Sequence, residues 1–347
     1  METKISVTEL NALLLETKPI WSNPITVTSA NWVVFSEGRF YCTNGVFHYS
    51  TECTYMEAAV PASDIHELIR KYEDGEVVID AHDSSVNISI KIPGRKAIQA
   101  SFDYPFEFKN SLDSFYDEEN ISTDDIEGFS NALQFTSQYV FRDNIEYSNV
   151  YVVNGNAVAT DGYCIAKSSV TCPDTSLVFG LSKVLNGLPE PERVFQNSSS
   201  ITFYHPDYKL SCAKAMGKPT AVTDYIPDVS KLKRDFSIGN VDDFCDIITS
   251  LKRLSDFKKQ DKFVVLESNG TTLDVFMDNV SKTYRYPIEN ATVNSSFSMK
   301  IHPDHIVNLL RVSPTVRYET SESFVYAFDS ELKRNLVVWV EYEENST

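Results

Sequence analysis

No two of the six cysteines stand in a Cys-x-x-Cys pair. Cys42, Cys53, Cys164, Cys172, Cys212 and Cys245 are scattered, which excludes a zinc ribbon or a dense disulfide framework and leaves reduced, mostly buried small apolar residues. Glycine is sparse, 12 in 347 residues, and none belongs to a Gly-rich loop that cradles phosphate. A Gly-x-Ser-x-Gly elbow and a His-Glu-x-x-His helix are missing as well. These absences remove the commonest signatures of nucleotide-dependent enzymes, serine hydrolases and zinc peptidases. No apolar run reaches the roughly 18 residues of a membrane helix, and METKISVTELNALLLETKPI lacks the basic start and unbroken apolar core of a secretory leader. The expectation is a cytoplasmic protein with no membrane partner. Basic residues are in the minority, 31 Lys and Arg against 49 Asp and Glu, for a formal net charge of −18. That excludes holding nucleic acid by wrapping it in cationic surface. It does not exclude basic residues gathered on one inner surface beneath an acidic exterior.

What the chain has is repetition. Its length suits two or three domains of about 100 to 170 residues, and 21 Phe and 18 Tyr beside many Val, Ile and Thr favour strand. Three stretches read as capped amphipathic helices: SVTELNALLLETKPI from 6, DDIEGFSNALQFTSQYVF from 124 and NVDDFCDIITSLKRLSDF from 240. Each is followed by a second short helix, in PASDIHELIRKYEDG at 61, GLSKVLNGLPE at 180 and IHPDHIVNLLRVSP at 301. Alternating strands follow, EVVIDA at 76, SSITFYH at 199 and VRYETS at 316, and each unit closes on a hairpin. Equivalent elements recur at roughly 120 residues, a common domain size. The reading is three copies of one α+β domain, at 1–120, 121–234 and 235–347, with charged or turn-rich connectors at 115–128 and 224–240. Open sheet edges at both ends make head-to-tail closure into a ring a candidate arrangement.

Three stretches set histidine just before aspartate. His302-Pro-Asp-His305 has the spacing of two metal ligands, but the neighbouring sequence offers no third and fourth; Asp304 more simply starts a helix. His82-Asp83 and His205-Pro-Asp207 read as turn residues. No cofactor, metal or catalytic residue is therefore expected, and an enzyme is the less favoured class. In AVATDGYCIA, residues 157–166, Asp161-Gly162 reads as a type I′ hairpin turn between apolar strands.

That stretch resembles the Ala-Thr-Asp-Gly-His-Arg-Leu-Ala segment in the middle domain of the bacterial DNA polymerase sliding clamp, or β clamp. AVPASDIHELIRKYEDGEVVIDAHDSSVNISIKIPGRKAIQASFDYPFEF resembles the second half of a clamp first domain, TDYIP at 223–227 the close of a middle domain, and NLVVWV at 335–340 the C-terminal strand. Tyr163-Cys164 stands where the family usually has His-Arg, and the chain runs on into EYEENST, departures that suit a divergent, phage-encoded member. The resemblance implies a processivity factor without catalysis of its own. Two copies would close as a six-domain ring around double-stranded DNA, helices lining the inside and antiparallel sheets the outside, opened by a clamp loader and gripping a DNA polymerase. By the same resemblance Tyr147, Thr160, Gly162, Tyr163, Cys164, Ile165, Pro227, Val337, Val338 and Trp339 form a peptide-binding cleft. Arg70, Lys71, Lys183, Lys252, Lys258, Lys259 and Arg311 face DNA. Leu68 and Tyr72 meet the partner's equivalents of Arg253 and Leu254 at the dimer seam, and Arg253 replaces a usually apolar residue. The other reading kept open is an interaction protein of repeated domains that never encircles DNA.

Overall fold

A computed structural model of the chain describes residues 2–22, 31–53, 56–104, 122–124, 126–141, 143–144, 147–217, 220–224, 226–254, 263–279 and 282–342. The helices are α1 (Val7–Glu16), α2 (Lys18–Trp21), α3 (Ala62–Ile69), α4 (Phe129–Thr136), α5 (Leu181–Leu185), α6 (Thr220–Thr223), α7 (Val241–Leu254) and α8 (Pro303–Val312). Every helix expected from periodicity is present, as α1, α4 and α7 and then α3, α5 and α8. Local chemistry sets their starts. Ser6 accepts from the Glu9 amide at 3.1 Å to cap α1, and His302 accepts from the Asp304 amide to cap α8, with Pro303 in the first turn.

The chain divides into two compact units, one of residues 1–134 and 170–215, the other of 135–169 and 216–347. The first unit holds an antiparallel sheet in the order Glu2–Ser6, Glu76–Ala81, Ser85–Lys91, Ile98–Asp103. Its other sheet runs Ala58–Pro61, Trp32–Ser36, Arg39–Thr43, Phe47–Glu52, Tyr208–Ala213, Ser200–His205, Arg193–Gln196, Ser122–Asp124. In the second unit Val150–Val153, Asn156–Thr160, Cys164–Ser169, Arg334–Trp339, Phe324–Asp329, Thr315–Tyr318, Arg234–Ile238 and Ala291–Val293 lie side by side. A further sheet there runs Lys282–Pro287, Leu273–Asn279, Val264–Asn269, Ser296–Ile301, Glu341–Tyr342.

The unit boundaries do not coincide with those read from the repeat. Two pairings explain why: Phe47–Glu52 with Tyr208–Ala213, and Cys164–Ser169 with Arg334–Trp339. Each joins strands of two different copies into one sheet, so backbone hydrogen bonds tie the middle copy's strands to strands of both the others. The connector expected at 224–240 is corrected in part, because Arg234–Ile238 is a strand with Phe236 and Ile238 inward. It pairs on both sides. Of the 115–128 connector, Ser122–Asp124 is a strand pairing with Arg193–Gln196, and 115–121 lie outside the described residues.

The core of the second unit packs α7 and α8 on sheet faces through Phe244, Ile248, Leu251, Ile306, Leu309 and Leu310, against Phe236, Phe297, Tyr318, Leu336 and Val338. All of these are buried, and the aromatic trio Phe236, Phe297 and Tyr318 has ring centroids 4.7 to 6.0 Å apart.

Candidate partner-binding site

The 157–166 stretch is a hairpin, but its turn is not type I′. Thr160 pairs with Ile165, Gly162 has φ 90°, and Asp161 is not among the residues of positive φ. The Asp161 carboxylate holds the loop instead: Oδ1 accepts from the amides of Tyr163 (2.9 Å) and Cys164 (2.8 Å) and from the Cys164 thiol (3.2 Å). Thr160 Oγ1 donates to the Cys164 carbonyl at 2.6 Å and accepts from the Gly162 amide at 3.0 Å. A two-residue turn with positive φ at both positions lies one hairpin earlier, at Asn154-Gly155, where Val153 pairs with Asn156.

The turn sits against the Arg334–Trp339 strand. Cys164 faces Val338, Ile165 faces Val337, and the Trp339 amide donates to the Tyr163 carbonyl at 3.0 Å. Strand alternation then divides the ten cleft candidates. Cys164 and Val338 point into the large core beneath α7 and α8. Ile165 joins Tyr151, Val158 and Val222 in a small cluster on the other side, with Tyr147, Val153 and Trp339 half-buried against it. Val337 joins Leu232 and Phe324 in a second cluster, which Trp339 also touches. Trp339 thus packs against two small buried clusters, and Tyr163, whose carbonyl accepts the Trp339 amide, is 68% exposed. Pro227 is half-buried in the segment after α6. Val222, Leu232 and Phe324 are buried within these clusters, as Ile165 and Val337 are, and Val153 is half-buried against them; none of these four additional residues was expected from the sequence. Alternation from Tyr151 signals Val153, whereas nothing local signals the others.

The turn also carries charge. Asp161 Oδ2 lies 3.4 Å from His305 Nε2 at the start of α8. Burial alone pushes the Asp161 carboxyl up, but the hydrogen bonds from His305, Tyr163 and Cys164 outweigh it and hold its pKa below the ordinary value. Burial and the neighbouring carboxylate push the Cys164 thiol well up.

The candidate DNA-facing residues are less uniform. Lys71, Lys183 and Arg311 are exposed, Lys183 with its ammonium 5.9 Å from the Phe179 ring centre. Arg70 is exposed but pairs with Glu67 at 2.7 Å, and Lys252 pairs with Asp304. Lys258 and Lys259 lie outside the described residues. Of the seam candidates, Leu68 and Tyr72 are half-buried, Tyr72 under the Arg95 guanidinium at 5.2 Å, and Arg253 is exposed. The Leu254 side chain lies outside the described residues.

The fold has solved counterparts over its whole length. The DnaN sliding clamp (DNA polymerase III subunit beta) of Bartonella birtlesii, bound to griselimycin, superposes with a TM-score of 0.78 at 14% identity, covering 98% of this chain and 99% of that one. The chain has the fold of a sliding clamp. The DNA polymerase sliding clamp of Bacillus subtilis gives a TM-score of 0.75 at 13% identity over 99% of this chain and 100% of its own. The polymerase III subunit beta of Pseudomonas aeruginosa gives 0.75 at 14%, over 98% and 100%. No family model and no curated protein matches the sequence. The clamp likeness read from AVATDGYCIA and NLVVWV is therefore met by the fold, while identity is too low for sequence comparison to register it. Among the described residues no helix is long and apolar enough to cross a membrane.

Proposed function

We propose that this protein is a DNA sliding clamp, a processivity factor that encircles duplex DNA and tethers a replicative polymerase without catalysing a reaction. The observation that carries the reading is the clamp fold over 98 to 99% of this chain and nearly all of each counterpart. In this reading the repeat supplies three clamp domains, 1–120, 121–234 and 235–347, and two chains join head to tail through the Leu68–Tyr72 region of one and the Arg253–Leu254 region of the other. A clamp loader opens the ring. Of the candidate cations, Lys71, Lys183 and Arg311 are exposed and are the ones left to meet phosphate, since Arg70 and Lys252 are tied to acidic neighbours. Few, sequence-independent phosphate contacts are what sliding requires. Partner peptides dock on the apolar surface around Trp339, where extended chains bury anchor side chains beside the 161–164 turn.

The pairing of Arg70 and Lys252 with carboxylates, with a net charge of −18, favours a second reading, a repeat-domain interaction protein that does not enclose DNA. Negative-stain electron microscopy with two-dimensional averaging separates the two. A closed six-lobed ring from two chains, with a hole wide enough for duplex DNA, is expected. Elongated three-lobed particles without a hole, persisting at high concentration, would overturn the clamp reading in favour of the second.

A further inference from the structure

His302 and His305 stand three residues apart at the start of α8, and their own stretch of sequence provides no clear complete ligand set. The fold brings two from the 161–164 turn. One donor atom each from Asp161, Cys164 and His305 lies within 4.8 Å of the other two. The His305 Nε2 to Asp161 Oδ2 separation is 3.4 Å, and Cys164 Sγ is 3.2 Å from Asp161 Oδ1. A tetrahedral zinc-class ion, with metal–ligand bonds of about 2.0–2.3 Å, holds its ligand atoms about 3.3–3.8 Å apart. The carboxylate–imidazole edge is already that long, and the thiol has only to swing from one carboxylate oxygen toward the ion.

We propose that Asp161, Cys164 and His305 form a binding site for one divalent transition-metal ion of the zinc class. A carboxylate, an imidazole and a thiol form a mixed O, N, S set, and the sulfur selects zinc or cobalt over magnesium or calcium. The hydrogens now shared within the cluster mark the ion's place. On binding, the Cys164 S–H bond breaks, its proton goes to solvent and the sulfur bonds to the metal. His305 binds through Nε2 as neutral imidazole with its proton on Nδ1. One thiolate and one carboxylate then balance the 2+ charge, so no net charge is left in the half-buried site. Cys164 closes it from the core side, where it is fully buried, while Asp161 and His305 stay partly accessible as an entry side. The fourth position falls to water or to His302, whose ring centroid is 5.0 Å from that of His305.

Such an ion would pin the turn to the start of α8. The Trp339 amide bonds to the Tyr163 carbonyl in that turn, so the metal stiffens one wall of the apolar surface. The site stands on its own geometry and does not depend on the clamp reading.

The test uses the full-length protein, stripped with a chelator, dialysed and titrated with Co2+ and then Zn2+. One Co2+ per chain is expected, with a near-ultraviolet thiolate-to-cobalt band and the strong visible absorption of tetrahedral cobalt, both abolished when Zn2+ displaces it. Cys164→Ala should lose the thiolate band, and His305→Gln, at a half-buried position, should weaken Co2+ binding at least tenfold with the circular dichroism spectrum and urea midpoint close to the parent's. Cys172→Ala, at a buried cysteine elsewhere, should bind as the parent does. Absence of stoichiometric binding would overturn the site, as would a thiolate band that survives Cys164→Ala or an affinity unchanged by His305→Gln.

Discussion

A single side chain ties the candidate docking surface together. Trp339 touches both small apolar clusters and donates its amide to the turn, so truncating it removes the shared wall while Val338, on the opposite side of the strand, keeps the core intact. Trp339→Ala is expected to weaken binding of the cognate polymerase at least tenfold, about 1.4 kcal/mol, with the oligomeric mass in light scattering unchanged. Equal binding by surface plasmon resonance would remove Trp339 from the docking surface. His48 makes a different prediction. It hydrogen-bonds with Thr43 Oγ1 at 2.6 Å, and burial lowers its pKa to about 4. The unfolded chain takes up that proton near 6.5, so between the two values it binds more protons than the folded chain does. The His48 contribution to stability is full above pH 6.5 and is lost as pH falls toward 4. Denaturant midpoints across that window should fall less steeply in His48→Gln, and parallel profiles would contradict the assignment. Tyr163 and Trp339 were legible as candidates because the clamp-like stretches contain them. Alternation separates Cys164 from Ile165 and Val338 from Val337 in any strand, but which side faces the large core was not legible, since that depends on what packs against each face of the sheet.

Elements were the most legible level. Three- and four-residue apolar steps gave α1, α4 and α7, and a cap or proline ahead of an apolar run gave α3 and α8, because helix signals act within one or two turns. The Arg234–Ile238 strand was obscured by the charged Lys231-Leu-Lys-Arg-Asp stretch leading into it, which reads as surface. Only two of its residues, Phe236 and Ile238, are buried, but Phe236 lies within the Phe297 and Tyr318 cluster, ring centroids 5.6 and 6.0 Å away. Phe236→Ala should therefore destabilise the second unit by about 3–5 kcal/mol, the usual cost of such a cavity. Urea unfolding followed by tryptophan fluorescence, with Trp339 as the reporter, would show it. A shift of a few tenths of a kcal/mol would mean the segment behaves as the connector its charges suggest. The Asp161-Gly162 turn shows the opposite case, an element correctly placed and wrongly typed. A dipeptide propensity for two positive φ angles yields here to an aspartate that satisfies two amides from ordinary φ.

At the scale of the whole chain, the sequence alone determined the order of helices and hairpins and their recurrence at roughly 120 residues, because those signals are local and add along the chain. It also determined the acidic balance of −18 and with it the demand that any DNA contact be few and gathered. The tertiary structure alone decided that strands read as belonging to separate copies share sheets, so that the compact units 1–134 with 170–215 and 135–169 with 216–347 cut across the repeat. Edge-to-edge pairing is made by backbone groups that every residue carries, so it leaves no mark in side-chain order. It alone decided, too, which cations are tied to carboxylates, and that Asp161 and Cys164 meet His305 across more than 140 residues. Contacts of that kind depend on three-dimensional distance, which spacing along the chain does not encode.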